Sequence, residues 1–222
     1  MNSILIPLTL SLRVASCATL LAIFLGVPIA TALARKNHFI ANLLDATANL
    51  PLVLPPTVLG YYLLVAFGSR SPLGAALDRV GIRLTFTWYG AVLAAALVAL
   101  PLVVQSTRAA LEAVDPDLED VARTLGRTNL SIFFSISLPL AGRGVLTGGM
   151  LAFSRALGEF GATLLIAGNI PGSTQTLPIA IYDAVQSGDQ GLANAMALIL
   201  TLTAITLLLL IRRLGQGIGR TQ

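Results

Sequence analysis

The sequence predicts an all-α membrane protein of about five transmembrane helices, on three observations: its low charge, its long apolar runs and the placement of its basic residues. Only 11% of the 222 residues are charged, 55% are hydrophobic, and the mean hydropathy is +0.84. A water-soluble domain carries about 25% charged residues to wet its surface, so most of this surface faces something other than water. Charge-free stretches run over 14–34, 46–69, 84–107 and 190–211, each long enough for the roughly 20 residues that take a helix across a bilayer. A fifth apolar run, 145–167, contains Arg155 and Glu159. With their flanks, these stretches predict spans of about 12–34, 48–68, 85–107, 145–168 and 191–211 in a single transmembrane domain over 1–222. A polar segment of about 108–143 separates the third span from the fourth.

The basic residues set the orientation. Arg35, Lys36, Arg108, Arg123, Arg127, Arg143, Arg212, Arg213 and Arg220 fall on one side of the predicted spans, and Arg70, Arg79 and Arg83 on the other. The positive-inside rule then puts the N-terminus outside and the C-terminus in the cytoplasm. The first apolar run has no basic segment before it, so it reads as a span and not as a cleaved signal. The inventory also excludes several functions. Cys17 and His38 are the only residues of their kinds, so no disulfide, metal site or His-dependent triad can be built within the chain. The only lysine, Lys36, follows Arg35 where a phosphate-binding loop needs Gly. The chain therefore reads as a non-enzyme with no catalytic residue and no cofactor. Its positive charge follows the bilayer and forms no patch for nucleic acid. The two halves do not repeat each other in hydropathy, as a one-chain secondary transporter with inverted repeats would require.

The segment between spans three and four carries most of the functional signal. Asp115-Pro116-Asp117 is a helix start, with an Asp cap, a Pro at the first position and acids favoured by the helix dipole. Leu118, Val121, Ala122 and Leu125 recur at helical spacing and predict one apolar face. Gly126 suits the left-handed residue that closes a helix. Thr128 or Asn129 can cap a second short helix through Phe134, which Leu138-Pro139 is expected to end. A helix, a glycine turn and a helix are thus predicted on the cytoplasmic surface.

This pattern resembles the cytoplasmic loop of ABC import permeases, which reads Glu-Ala-Ala, three residues, Gly, nine residues, then Ile-x-Leu-Pro. Here Asp120-Val121-Ala122 is followed in the same register by Gly126 and by Ile136-Ser137-Leu138-Pro139. Asp120 and Val121 depart from the pattern, and Glu119 lies one residue out of register. In that family the loop docks on a separate ATPase subunit. The resemblance therefore implies that Glu119, Asp120, Ala122, Gly126, Leu138 and Pro139 couple this chain to its energy source.

Two further stretches are unusual for spans. Pro51, Pro55 and Pro56 each remove a helix donor, so the start of span two must kink or unwind, either as a plain helix start or as a gate. Arg155 and Glu159 are four apart and share a face of the fourth predicted helix. Unpaired, each would cost about 2.5–3.5 kcal/mol near the bilayer centre, so they are expected to pair, as a functional site or as a structural bridge. Gly144, Gly148, Gly158 and Gly161 suit close helix packing. In the outer loop, Thr176 can cap a short helix whose Leu177, Ile181 and Val185 form an apolar stripe. Arg13, read as one turn into span one, snorkels outward or attracts an oxyanion.

Across 10–212 these stretches resemble one narrower family, the permease subunits of bacterial molybdate importers. The segments Leu50-Pro51-Leu52-Val53-Leu54-Pro55-Pro56 and Gly158-Glu159-Phe160-Gly161-Ala162-Thr163 and the outer Gln175-Thr176-Leu177-Pro178 carry the likeness. It implies the type I (MetI-like) ABC importer fold and a homodimer in a bacterial inner membrane. Two ATPase subunits and a periplasmic or lipid-anchored molybdate-binding protein are its implied partners. It implies molybdate as solute, with tungstate as a mimic, and makes Pro51, Pro55, Pro56, Arg155 and Glu159 gate or pathway candidates. The alternatives are a permease for tungstate, sulfate or thiosulfate, and a stand-alone secondary transporter.

Overall fold

Long apolar segments poor in charge satisfy their backbone groups internally as helices, and among the described residues every regular element is helical. The computed structural model describes residues 2–34 and 39–218; Arg35, Lys36 and Arg220, used above to orient the chain, lie outside them, as does His38. Helix α1 (Asn2–Ala34) begins well before the predicted 12. Arg13 therefore lies about three turns into it, not one. There the Arg13 guanidinium sits 3.9 Å from the centre of the Trp88 ring, which ties α1 to the start of α5.

The predicted second span is two helices, α2 (Phe39–Val53) and α3 (Pro56–Phe67), whose axes differ by 115°. The break falls at Leu54-Pro55, where two successive prolines lack the N–H groups that would continue α2. Pro51 lies buried inside α2 and ends nothing. A short helix, α4 (Pro72–Arg79), follows before α5 (Trp88–Glu112). Helix α5 is the hub and the most buried of the long apolar helices. Ala91, Ala94, Ala95 and Ala99 are fully buried along it, and such small side chains let helices approach closely.

Two expectations fail after α5. Helices α6 (Pro116–Thr124) and α7 (Asn129–Ile132) form as predicted, but Leu138-Pro139 ends no helix. Instead α7, a π turn (Phe133–Ser137) and α8 (Leu138–Leu157) run together over Asn129–Leu157, so the helix that carries the fourth predicted span starts well before 145. The π turn makes this possible. Its Leu138 N–H reaches back to the Phe133 carbonyl, and Pro139 then falls in the first turn of α8, where no N–H is required. The second failure is that the helix of the fourth predicted span does not continue to 168. It stops at Leu157, and a separate short helix, α9 (Gly161–Ala167), follows.

The chain closes with α10 (Leu177–Gln186) and α11 (Gln190–Ile218). On α10 Leu177, Ile179, Ala180 and Ala184 are buried, while Val185 of the expected stripe is 48% exposed. Thr176 makes no capping bond; the Leu177 N–H donates to Ser11 Oγ of α1 at 2.7 Å instead. Among the described residues four helices are long and apolar enough to cross a membrane, and the bent α2–α3 pair counts as a fifth if taken as one span.

Candidate functional site

Two features stand out from the helical frame: a crossing of two interrupted helices, and the α6–α7 hairpin beyond the end of α5. The crossing is built from small residues. A Cβ on Gly60 of α3 would lie 2.7 Å from the Ala162 Cα of α9. A Cβ on Gly161 would lie 3.1 Å from Thr57 and 3.4 Å from Pro56. The α2–α3 break and the α8–α9 break are thus packed together. Farther along α8, Gly144 and Gly148 lie against Ser106, Ala110 and Val103 of α5, and Ser106 Oγ donates to the Gly144 carbonyl at 2.8 Å. Gly158 departs from the packing expectation. Its nearest neighbour in this sense is Ser154 O at 4.0 Å, and it serves as the cap of α8.

Because Gly158 ends α8, Arg155 and Glu159 do not share a helix face. Arg155 is in the last turn of α8 and Glu159 in the break, yet Arg155 Nη1 reaches Glu159 Oε2 at 2.7 Å. The other carboxylate oxygen, Oε1, accepts the Ala162 N–H at the start of α9, at 2.9 Å. The Glu159 side chain is 2% exposed and that of Arg155 35%. One buried carboxylate therefore holds both ends of the break. The cap was invisible in the sequence, since it depends on the break falling after Leu157.

The hairpin has different construction. Asp115 caps α6 by accepting the Asp117 N–H at 3.0 Å. At the other end Gly126 takes φ 78°, the Gly126 N–H donates to Arg123 O at 3.0 Å, and the Arg127 N–H donates to Ala122 O at 3.1 Å. This is the Schellman closure that requires a left-handed residue. Thr128 caps α7 by accepting the Ser131 N–H at 3.3 Å. Arg123 pairs with both Glu119 and Asp120. Glu119, out of register in the motif, is the better anchored acid: it also accepts Ser137 Oγ of the π turn at 2.5 Å, while the Asp120 side chain is 66% exposed.

The predicted apolar face of α6 is mostly uncovered. Ala122 is buried, but Leu118, Val121 and Leu125 are 47%, 58% and 77% exposed, with Leu130 and Phe134 bare beside them. A contiguous apolar patch rimmed by charge marks an interaction surface. Among the described residues no three His, Cys, Asp or Glu side chains are grouped to hold a metal.

A frame of apolar helices with one interrupted pair and an uncovered apolar hairpin fits the class of membrane permeases. The chain belongs to the binding-protein-dependent transport system inner membrane component family, whose profile matches residues 22–220. It is 47% identical over 203 residues to the molybdenum transport system permease protein ModB of Escherichia coli K12, covering 90% of this chain and 89% of that one. Against the ModB permease of Haemophilus influenzae it is 43% identical over 220 residues, covering 95% and 96%. The fold superposes on a chain of the inward-facing MetNI methionine ABC transporter with TM-score 0.73 at 16% identity, covering 96% and 95%. A chain of a bacterial alginate ABC transporter bound to its periplasmic protein gives 0.77 at 14% identity, covering 98% and 80%. The fold is that of type I ABC importer permeases, and the chain is a transport subunit, not an enzyme.

Proposed function

We propose that this chain is the membrane-spanning subunit of an ATP-driven molybdate importer, working as a homodimer with two ATPase subunits and a molybdate-binding protein. The importer mechanism rests chiefly on one observation, the uncovered apolar face of Leu118, Val121 and Leu125 on a hairpin fixed by the Gly126 turn. A stand-alone secondary transporter has no use for such a face; a permease worked by a separate ATPase does. The solute reading is supported by relatives named as molybdenum permeases at 43–47% identity.

In this reading Glu119, Asp120, Ala122, Gly126, Leu138 and Pro139 belong to the coupling element. The π turn and α8 link it directly to the break where Arg155 and Glu159 sit, so a push on the hairpin reaches the crossing through one continuous helix. Pro51, Pro55, Pro56, Arg155 and Glu159 then border the moving part of the pathway. A dianion faces a desolvation cost of tens of kcal/mol in hydrocarbon, so the pathway must be wetted and lie between two copies of the chain. Molybdate and tungstate share charge, shape and nearly the same size, and tungstate passes as a mimic. Discrimination against smaller sulfate falls to the binding protein.

The test is uptake of radiolabelled molybdate by cells expressing this chain with its own ATPase and binding protein. Saturable uptake abolished by excess tungstate is expected. Saturable sulfate uptake indifferent to molybdate would replace the solute. The proposed orientation, N-terminus outside and C-terminus cytoplasmic, is checked separately in a Cys17→Ser background. Cysteines at Ser3 and Ser173 should react with an impermeant thiol reagent in intact cells, and one at Ser131 only after lysis.

A further inference from the structure

A cleft of about 950 Å³ opens at the N-terminal end of α5, the opposite end of that helix from the α6 hairpin. Its walls are the loop joining α3 to α4 and the segment entering α5, and they carry Arg70 and Arg83. These are two of the three arginines that run against the positive-inside pattern. The third, Arg79, lies in the last turn of α4, where it complements the helix dipole and stays off the cleft wall. Neither cleft arginine is consumed by the fold. Arg70 has no ion pair or hydrogen bond among the described residues, and Arg83 meets only Asp78 at 3.7 Å with its side chain 68% exposed.

Thr85, 4% exposed, lines the same cleft, and its hydroxyl has no hydrogen-bond partner among the described residues. The hydroxyl is open to the cleft, so its donor is left for whatever occupies the cleft. The turn that holds it there is strained. Phe86, next in the chain, has φ 57°, a conformation in which a bulky residue is a true outlier. It is held by its N–H donating to Ile166 O at 2.9 Å and by its ring lying against Gly168. Strain of this kind persists where the surroundings enforce it and gathers at ligand sites. Two helices also start at the cleft, α4 after Ser71 and α5 after Thr87, adding partial positive charge.

We propose that Arg70, Arg83 and Thr85 form a binding site for a tetrahedral oxyanion at this mouth of the protein. The planar guanidinium fork matches two oxygens of such an anion, and a hydroxyl donates to a third. Two sources share this chemistry: a free oxyanion such as molybdate or phosphate, and the phosphate of an anionic lipid whose chains would lie along Leu64, Val65 and Phe86 on the same wall. Placing the site at the outer mouth of an import path rests on the orientation proposed above. The binding chemistry does not.

The test uses the chain with its ATPase subunit in nanodiscs of zwitterionic lipid, without binding protein. Molybdate binding is measured by equilibrium dialysis, alone and against inorganic phosphate. Arg70→Gln with Arg83→Gln should weaken molybdate by about tenfold or more, and Thr85→Val by about threefold, while Arg79→Gln changes it by less than about twofold. In a second arm, discs containing phosphatidylglycerol are analysed by native mass spectrometry. Molybdate binding in zwitterionic discs that depends on the two arginines assigns the site to a free anion. Phosphatidylglycerol retention that depends on them, with no molybdate binding, assigns it to a headgroup. If the double variant matches Arg79→Gln for both ligands while melting like the parent, the proposal is overturned. Binding that persists in a chain that fails the uptake test would remove the molybdate-import reading and leave this site standing.

Discussion

The crossing and the hairpin are made from the same parts and put to opposite uses. Each joins two helices through a short non-helical turn, and each pairs a glutamate with an arginine four residues away: Arg155 with Glu159, and Glu119 with Arg123. At the crossing the carboxylate is 2% exposed and the contacts are glycine against backbone. At the hairpin Glu119 is 16% exposed and Asp120, the second acid on Arg123, 66%, and the large apolar side chains face outward. The first is a joint closed within one chain. The second has the composition of a surface that another subunit completes. A buried pair left half-broken is costly because the remaining charge has no water, whereas an exposed pair contributes little. Substitutions at the two places should therefore differ in what they damage.

The largest effect is expected at Glu159. Glu159→Ala removes both the partner of Arg155 and the acceptor of the Ala162 N–H, and should lower stability by about 2–4 kcal/mol, read as the loss of melting temperature of the purified protein. Glu159→Gln keeps an acceptor and should fall between Glu159→Ala and the parent. The double change with Arg155→Ala should do less harm than the sum of the two single changes. Simple additivity would show that the two groups act separately.

Next in size, Gly60→Ala forces α3 from α9 and should cost about 1–3 kcal/mol by overpacking. Gly158→Ala, with open space where its Cβ would go, should stay within about 0.5 kcal/mol of the parent. Equal melting temperatures for the two would mean that the crossing is not close-packed.

At the hairpin the expected change in stability is smallest and the change in association large. Val121→Asp and Asp120→Arg should melt within about 0.5 kcal/mol of the parent, yet lose co-purification of the ATPase and substrate uptake. Gly126→Pro should lose both as well, since it removes the N–H that closes the turn. Normal ATPase recovery from all three would detach the hairpin from coupling.

The membrane class, the approximate positions of most long apolar helices and the start, face and glycine closure of α6 could be read from the sequence. Each depends on neighbours in the chain: uninterrupted apolar length, the 3.6-residue period, and residue types that prefer caps and left-handed turns. The kink near Pro55 belongs with these, because a missing N–H acts at its own position. Its size, a 115° turn and not a bend, does not.

Only the tertiary structure decided the rest. Leu138-Pro139 looks like a helix end, but the π turn before it lets the helix run on. The run 145–168 looks continuous, but α8 stops at Leu157, because Glu159 and the small residues facing α3 stabilise a separate helix there. Thr176 looks like a cap, yet Ser11, distant in sequence, supplies the acceptor. Whether the apolar face of α6 would be covered or bare was equally out of reach of the sequence. The physical reason is common to all four. A helical period states which residues are apolar and on which face they fall, but what meets that face depends on parts of the chain brought together by folding.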